Sequence, residues 1–211
     1  MSRTARLPAE VVIDACSLIN LYAVDGSFAA LHALGMTFLV PPQVSKEALY
    51  IHADGADRKS AGASPMDRVP VDLCKPISSG HLSVVQLTEQ ELARFVGFAR
   101  LVGDGEAAAC AVALARRLTI LTDDRAAGRL VTGHGGTLID TPALLKWWFR
   151  AAGVDGVRAR QVLTAITERA SYAPASGHPL RKWWEAVRAG DKASSTAQTG
   201  LRGGTFPGPS I

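Results

Sequence analysis

The sequence predicts an α/β protein, a central and mostly parallel sheet flanked by helices, with a helical C-terminal extension. Three observations carry this expectation. Short unbroken apolar runs such as Val11-Val12-Ile13 stop abruptly at polar residues, which is the pattern of strands buried on both faces. Strand-like and helix-like stretches alternate from Val11 to Phe149, as crossover helices between parallel strands require. Beyond Arg150 only helical patterns remain before a polar, Gly- and Pro-rich end.

Taken in order, "EVVIDACSLINLY" opens with a strand at Val11–Ile13, then Asp14, then an apolar helical stretch through Leu21. "MTFLVPPQVSKEALYIH" repeats the form, with a strand over Thr37–Val40, Pro41-Pro42 as punctuation and a helix carrying Glu47, proline being suited to a turn or a first helical position. Residues 52–80 are polar, small and rich in Gly and Pro, and read as a loop-like insertion. "HLSVVQLT" reads as a strand, and Thr88 with Glu91 three residues on is a capping box for a helix over Glu89–Val102. "GDGEAAACAVALARR" is a short turn followed by an Ala-rich helix, whose small residues allow close approach to a sheet. A strand over Leu118–Thr122, a helix around Arg125–Val131 and a strand over Thr137–Ile139 come next. Thr141 as cap and Pro142 at the first helical position open "TPALLKWWFRAAG". Two further helices are expected over Gly156–Ala170 and Leu180–Ala189. The expected organisation is a domain over residues 9–150, a helical extension over 151–190 and a disordered tail over 191–211.

Composition narrows the function classes. At 47% hydrophobic residues the chain has enough apolar material for a real core, which excludes global disorder. No apolar run approaches the roughly 18 residues of a membrane span, and the opening residues lack the apolar stretch of a signal peptide. Cys16, Cys74 and Cys110 are odd in number and show no CxxC or Cys/His spacing. They point away from a disulfide framework or structural zinc, and toward a reducing, cytoplasmic setting. Residues 1–140 carry 13 Lys/Arg against 15 Asp/Glu, whereas residues 141–211 carry 10 against 4. An acidic front half and a basic back half suit a cation pocket beside a surface for a polyanion.

The acids fall at informative places. Asp14 ends the first strand, Glu47 lies in the helix after the second, Glu106 begins the Ala-rich helix, and Asp123 and Asp124 end the strand that follows. Sites in open α/β sheets form at the carboxyl ends of strands, so acids from four segments can meet in one crevice. Gathered without basic partners they would repel and raise one another's pKa values. A divalent cation removes that penalty, and an all-oxygen donor set selects Mg²⁺ or Mn²⁺ over zinc. Each acid also has a plainer account: Asp14 and Asp124 as helix caps, Glu47 as a solvated helix residue, Asp104 and Glu106 as charges favoured by a helix dipole.

"VVIDACSLINLY", "VPPQVSKEAL", "GDGEAAACAVAL" and "LTILTDDRAAGRL", in this order and spacing, resemble a PIN domain. That is the fold of metal-dependent nucleases that includes the VapC-type toxins of prokaryotic toxin–antitoxin pairs. The resemblance covers residues 9–150 and implies a PIN-like fold. It implies catalytic acids at Asp14, Glu47, Glu106 and Asp124, with Asp123 beside them at the metal. It further implies Mg²⁺- or Mn²⁺-dependent endonucleolytic cleavage of RNA by activated water, in line and without a covalent intermediate. An antitoxin protein and a homodimer are the partners it suggests, with no membrane. Glu106 is favoured over Asp104 as third acid because it enters the helix in a "GEA" context. Cys16 departs from the family, which usually has Asn or Ser there, and the insertion and extension make the chain longer than a compact toxin.

Other sites fare worse. "GDGEAA" has Ala where a dinucleotide fingerprint needs its third Gly, no Walker A sequence exists, and Asp14-Ala15-Cys16 lacks the second Asp of a haloacid-dehalogenase-type phosphatase. His52, His81, His134 and His178 have no metal-ligand spacing. The paired tryptophans of "KWWFR" and "RKWWEAVR" favour core or partner packing over base stacking. The rival function is a catalytically weak PIN-fold module binding RNA or protein. A metal-dependent phosphatase is a third.

Overall fold

The computed structural model describes residues 8–47, 49–53 and 67–190. Residues 54–66 of the expected 52–80 insertion and the whole expected tail, 191–211, lie outside the described residues. Five strands form the sheet: β1 (Glu10–Ile13), β2 (Thr37–Val40), β5 (Leu82–Val84), β6 (Thr119–Leu121) and β7 (Thr137–Ile139), in the spatial order β5-β2-β1-β6-β7. Every neighbouring pair is parallel. Val11 stands opposite Phe38 of β2 on one side and Thr119 of β6 on the other. The chain runs from β1 outward to β2 and β5, then returns past β1 to lay down β6. The strand order therefore switches between β1 and β6, and the crevice of such a sheet opens at the carboxyl ends of those two strands.

Burial follows the two-residue period of β1. Val11 and Ile13 join one core with Phe38, Val40 and Leu121, while Val12 joins another with Leu39 and Ile120 on the opposite face. The first face is covered by α1 (Ala15–Asp25) and α8 (Thr141–Ala151). The second is covered by α6 (Asp104–Arg116), whose Ala107, Ala109, Ala111 and Ala113 are buried. Alanine leaves little side chain between helix axis and strand, and that is what lets α6 lie close to the sheet. Helix α5 (Glu89–Phe98) carries the expected capping box, with Thr88 accepting from the Glu91 N–H and Glu91 accepting from the Thr88 N–H. It ends at Phe98, four residues short of expectation.

Four further expectations are corrected. The segment after His52 is not loop throughout: β3 (Tyr50–His52) pairs antiparallel with β4 (Arg68–Pro70), and α4 (Cys74–Ser78) follows. Helix α2 (Ala29–His32) was not anticipated. Helix α3 (Pro42–Lys46) stops before Glu47, which takes an extended conformation as its C-cap. The cap of α8 is Asp140, which accepts from the Ala143 N–H at 2.8 Å; Thr141 cannot serve because its hydroxyl is turned to Asp123. Helix α7 (Arg125–Gly133) begins at its expected residue.

The 151–190 segment is continuous with the main core rather than appended to it. From α9 (Gly156–Arg169) come Ala159, Val162, Leu163 and Ile166, and from α10 (Arg181–Ala189) comes Trp184, all in the core that also holds Val11, Leu18 and Leu144. Trp184 is fully buried and Trp148 nearly so, so one member of each tryptophan pair is core. His178 ties the same segment to the sheet, its Nδ1 accepting from the Leu180 N–H and its Nε2 donating to Asp140 at 3.0 Å. Trp184→Ala is expected to cost about 3–5 kcal/mol, the usual loss for a buried tryptophan. Urea unfolding of the full chain measures this as a lower midpoint with an unchanged slope.

Candidate functional site

Asp14 stands where β1 ends, at the switch of strand order. Its N–H continues the ladder to the Leu121 carbonyl, and its side chain caps α1, Oδ1 accepting from the Ser17 N–H at 2.8 Å. The plainer account of Asp14 as a cap is thus true of one oxygen. The other, Oδ2, is buried with no hydrogen-bond partner. Burial pushes the carboxyl up from its ordinary 3.8 to about 7, the Thr122 hydroxyl and the N–H and hydroxyl of Ser17 draw it partly back, and the charge of Asp123 adds to the rise. An ionised group so placed costs about 4 kcal/mol, at 1.36 kcal/mol per pKa unit. Local hydrogen bonding alone does not balance it.

The end of β6 supplies the next acids. Thr122 is buried and its hydroxyl accepts from the Asp124 N–H at 3.1 Å. Asp124 is exposed and caps α7 through the Ala127 N–H at 2.7 Å. Asp123, expected at the metal, is held otherwise. Its Oδ1 accepts from the Thr141 N–H at 3.0 Å and the Tyr172 hydroxyl at 2.8 Å. Its Oδ2 accepts from Ser17 Oγ at 3.3 Å, Asn20 Nδ2 at 2.9 Å and Thr141 Oγ1 at 2.5 Å. Burial raises its pKa, and Thr141, Tyr172 and Asn20 lower it. With both oxygens engaged by donors, Asp123 braces the crevice and has little lone-pair capacity left for an ion.

Glu47 and Glu106 meet across the N-terminus of α6. Leaving α3 in an extended conformation sends the Glu47 side chain to the Gly105 N–H, which lowers its pKa, whereas burial and the charges of Glu106 and Asp104 raise it, burial most of all. The close approach requires glycine: a Cβ on Gly105 would sit 2.1 Å from Glu47 Oε1, and one on Gly103 would sit 2.5 Å from Glu106 Oε2. Asp104 and Glu106 both lie in the first turn of α6, but Glu106 is the one shared with the other acids. The thiols of Cys16 and Cys110 are each pushed up to about 12 by burial first and then by Asp14 and Glu106, with Asp124 contributing at both. Asp14, Glu106 and Asp124 therefore all lie within electrostatic reach of these two thiols, and Glu106 within reach of Glu47. Cys16 is exposed.

Among the described residues, no ion pair reaches any of these five acids; the pairs go to Glu91, Asp140 and Glu185. Nor, among the described residues, do three or more His, Cys, Asp or Glu side chains form a group able to hold a metal ion. The residues nevertheless fit a hard divalent cation in kind. Every donor is oxygen, Asp14 Oδ2 is buried and unpartnered, and Mg²⁺ binds through one or two carboxylates while keeping several waters. Sequence reasoning missed Ser17, Asn20, Thr122, Thr141 and Tyr172. Ser17 and Asn20 alone left a trace, as polar residues in a mostly apolar stretch of α1.

Comparison with family models, with curated proteins and with solved structures found no match to the chain.

A carboxyl whose pKa is raised by folding contributes stability in full below the unfolded value and loses it as pH rises through the folded one. For Asp14 that window runs from 3.8 to about 7. In metal-free buffer, Asp14→Asn is expected to melt higher than the parent at pH 8 and to lose that advantage near pH 4. Thermal unfolding at the two pH values checks it. Asn keeps the cap, so a melting point lowered at both would assign Asp14 a purely structural role.

Proposed function

We propose that this chain is a Mg²⁺- or Mn²⁺-dependent endoribonuclease of PIN-like architecture, hydrolysing RNA phosphodiester bonds. One observation carries the reading: a fully buried carboxylate oxygen, Asp14 Oδ2, has no partner at the carboxyl end of the central strand, among acids that lack basic partners. Such a site costs stability unless a cation belongs in it.

In this reading Asp14, Glu47, Glu106 and Asp124 hold the cation. When bound it supplies Lewis-acid stabilisation of charge on a phosphoryl oxygen and lowers the pKa of a coordinated water. The protein's own part is positional. Asp14 is fixed by its cap bond to Ser17, and Glu47 by the Gly105 N–H. Asp124 is fixed by capping α7, and Asp123 locks α1, α8 and the β6 end together. The basic balance of residues 141–211 attracts the polyanion and orients it over an acidic crevice it would otherwise avoid. A toxin role, restrained by an antitoxin protein, belongs to the same proposal, as does a homodimer. A cytoplasmic setting fits three free cysteines, and among the described residues no helix is long and apolar enough to cross a membrane.

A second reading is favoured by a different observation. The absence, among the described residues, of a closed group of three metal-binding side chains suits a catalytically weak module that binds RNA or protein.

The test is cleavage of mixed single-stranded RNA by the full chain with Mn²⁺, Mg²⁺ or EDTA, beside Asp14→Asn. Expected are cutting that needs the metal and a fall of about 100-fold or more in the variant, since even outer-shell changes at metal sites cost about 10–100-fold. Cutting that survives EDTA and the substitution would overturn the assignment. Salt-dependent RNA binding without cutting would move the function to the binding module.

A further inference from the structure

We infer that Tyr172 is a positioning residue of this site, acting through Asp123, so that the segment after α9 forms part of the crevice wall. Tyr172 lies 49 residues beyond Asp123 in the chain, yet its hydroxyl donates to Asp123 Oδ1 at 2.8 Å. Three constraints aim it. Ser171 takes a left-handed conformation, φ 56°, which is uncommon for a residue with a side chain and persists where the surroundings enforce it. That turn ends α9 and folds the chain back, leaving the Tyr172 N–H on the Ile166 carbonyl at 3.4 Å. The phenol ring then packs edge-on against fully buried Trp184, centroids 5.8 Å apart at 78°.

The consequence for the site follows from how Asp123 is shared. Its Oδ2 has three donors, from α1 and α8, but its Oδ1 has two, the Thr141 N–H and the Tyr172 hydroxyl. Without the phenol, Oδ1 keeps one bond, from the Thr141 N–H, and the carboxylate loses its tie to the segment after α9, which leaves it less firmly fixed. Asp123 sits between Thr122 and Asp124, and its charge is felt at Asp14. A turn of Asp123 therefore disturbs the loop that sets Asp124 and the hydroxyl beside Asp14. Tyr172 touches no substrate in this scheme.

The effect on cleavage rests on the nuclease reading; the effect on the loop does not. Tyr172→Phe keeps the ring on Trp184 and removes only the donor. Amide hydrogen exchange on the full chain is expected to rise at residues 122–124 and Thr141 while α5 and α6 stay protected. Mn²⁺-dependent cleavage is expected to lose about 10–100-fold in kcat with KM little changed, and Asp123→Asn should absorb most of that loss in the double variant. Val162→Ala, which trims the α9 core away from Asp123, should lower stability while sparing kcat. Faster exchange at 122–124 in a protein that neither binds Mn²⁺ nor cuts RNA would support the brace and sink the nuclease. Unchanged exchange there, or equal kcat losses in Tyr172→Phe and Val162→Ala, would overturn the brace.

Discussion

The structure turns on one unbalanced charge. Asp14 ends the central strand, with its backbone spent on the sheet and one oxygen spent on the α1 cap. Its remaining oxygen is sealed from water and has no donor. The fold could have placed an asparagine or a serine there and capped α1 equally well. A carboxylate in that position is costly to folding when ionised, and the proposed cation would offset that cost.

The surrounding polar groups are arranged to keep that imbalance in place. Asp123, close and of the same charge, adds to it. Its oxygens are engaged by Ser17, Asn20, Thr141 and Tyr172, which fix it in place beside Asp14. The glycines at 103 and 105 leave room for Glu106 and Glu47 at the head of α6, where exposed N–H groups and the helix dipole favour anions. Glu106 is thus felt both at Glu47 and at the thiols beside Asp14.

Much of this was legible in the residues. The strands at Thr37–Val40 and Thr137–Ile139 and the Thr88–Glu91 capping box were read from short-range patterns, which the fold leaves intact because each is satisfied locally. Where long-range bonds compete with local ones, the local pattern misleads. "IDTPA" offers two caps, and Asp140 is used because Thr141 is needed by Asp123. Glu47 looks helical beside "PQVSK", yet the chain leaves the helix there and its carboxylate reaches Gly105. The acids at strand ends were visible; the donors holding Asp123 were not, because Tyr172 and Thr141 come from distant turns of the chain.

The state of the Asp14 carboxyl can be read directly. Carbon-13 NMR of the Asp14 side chain, titrated from pH 4 to pH 9 with and without Mg²⁺, gives its pKa in each condition. The expected midpoint lies near pH 7 without the cation and falls clearly when Mg²⁺ is present, since an ion that binds the carboxylate competes with its proton. A midpoint in the ordinary carboxylate range, unmoved by Mg²⁺, would leave Asp14 a helix cap and nothing more.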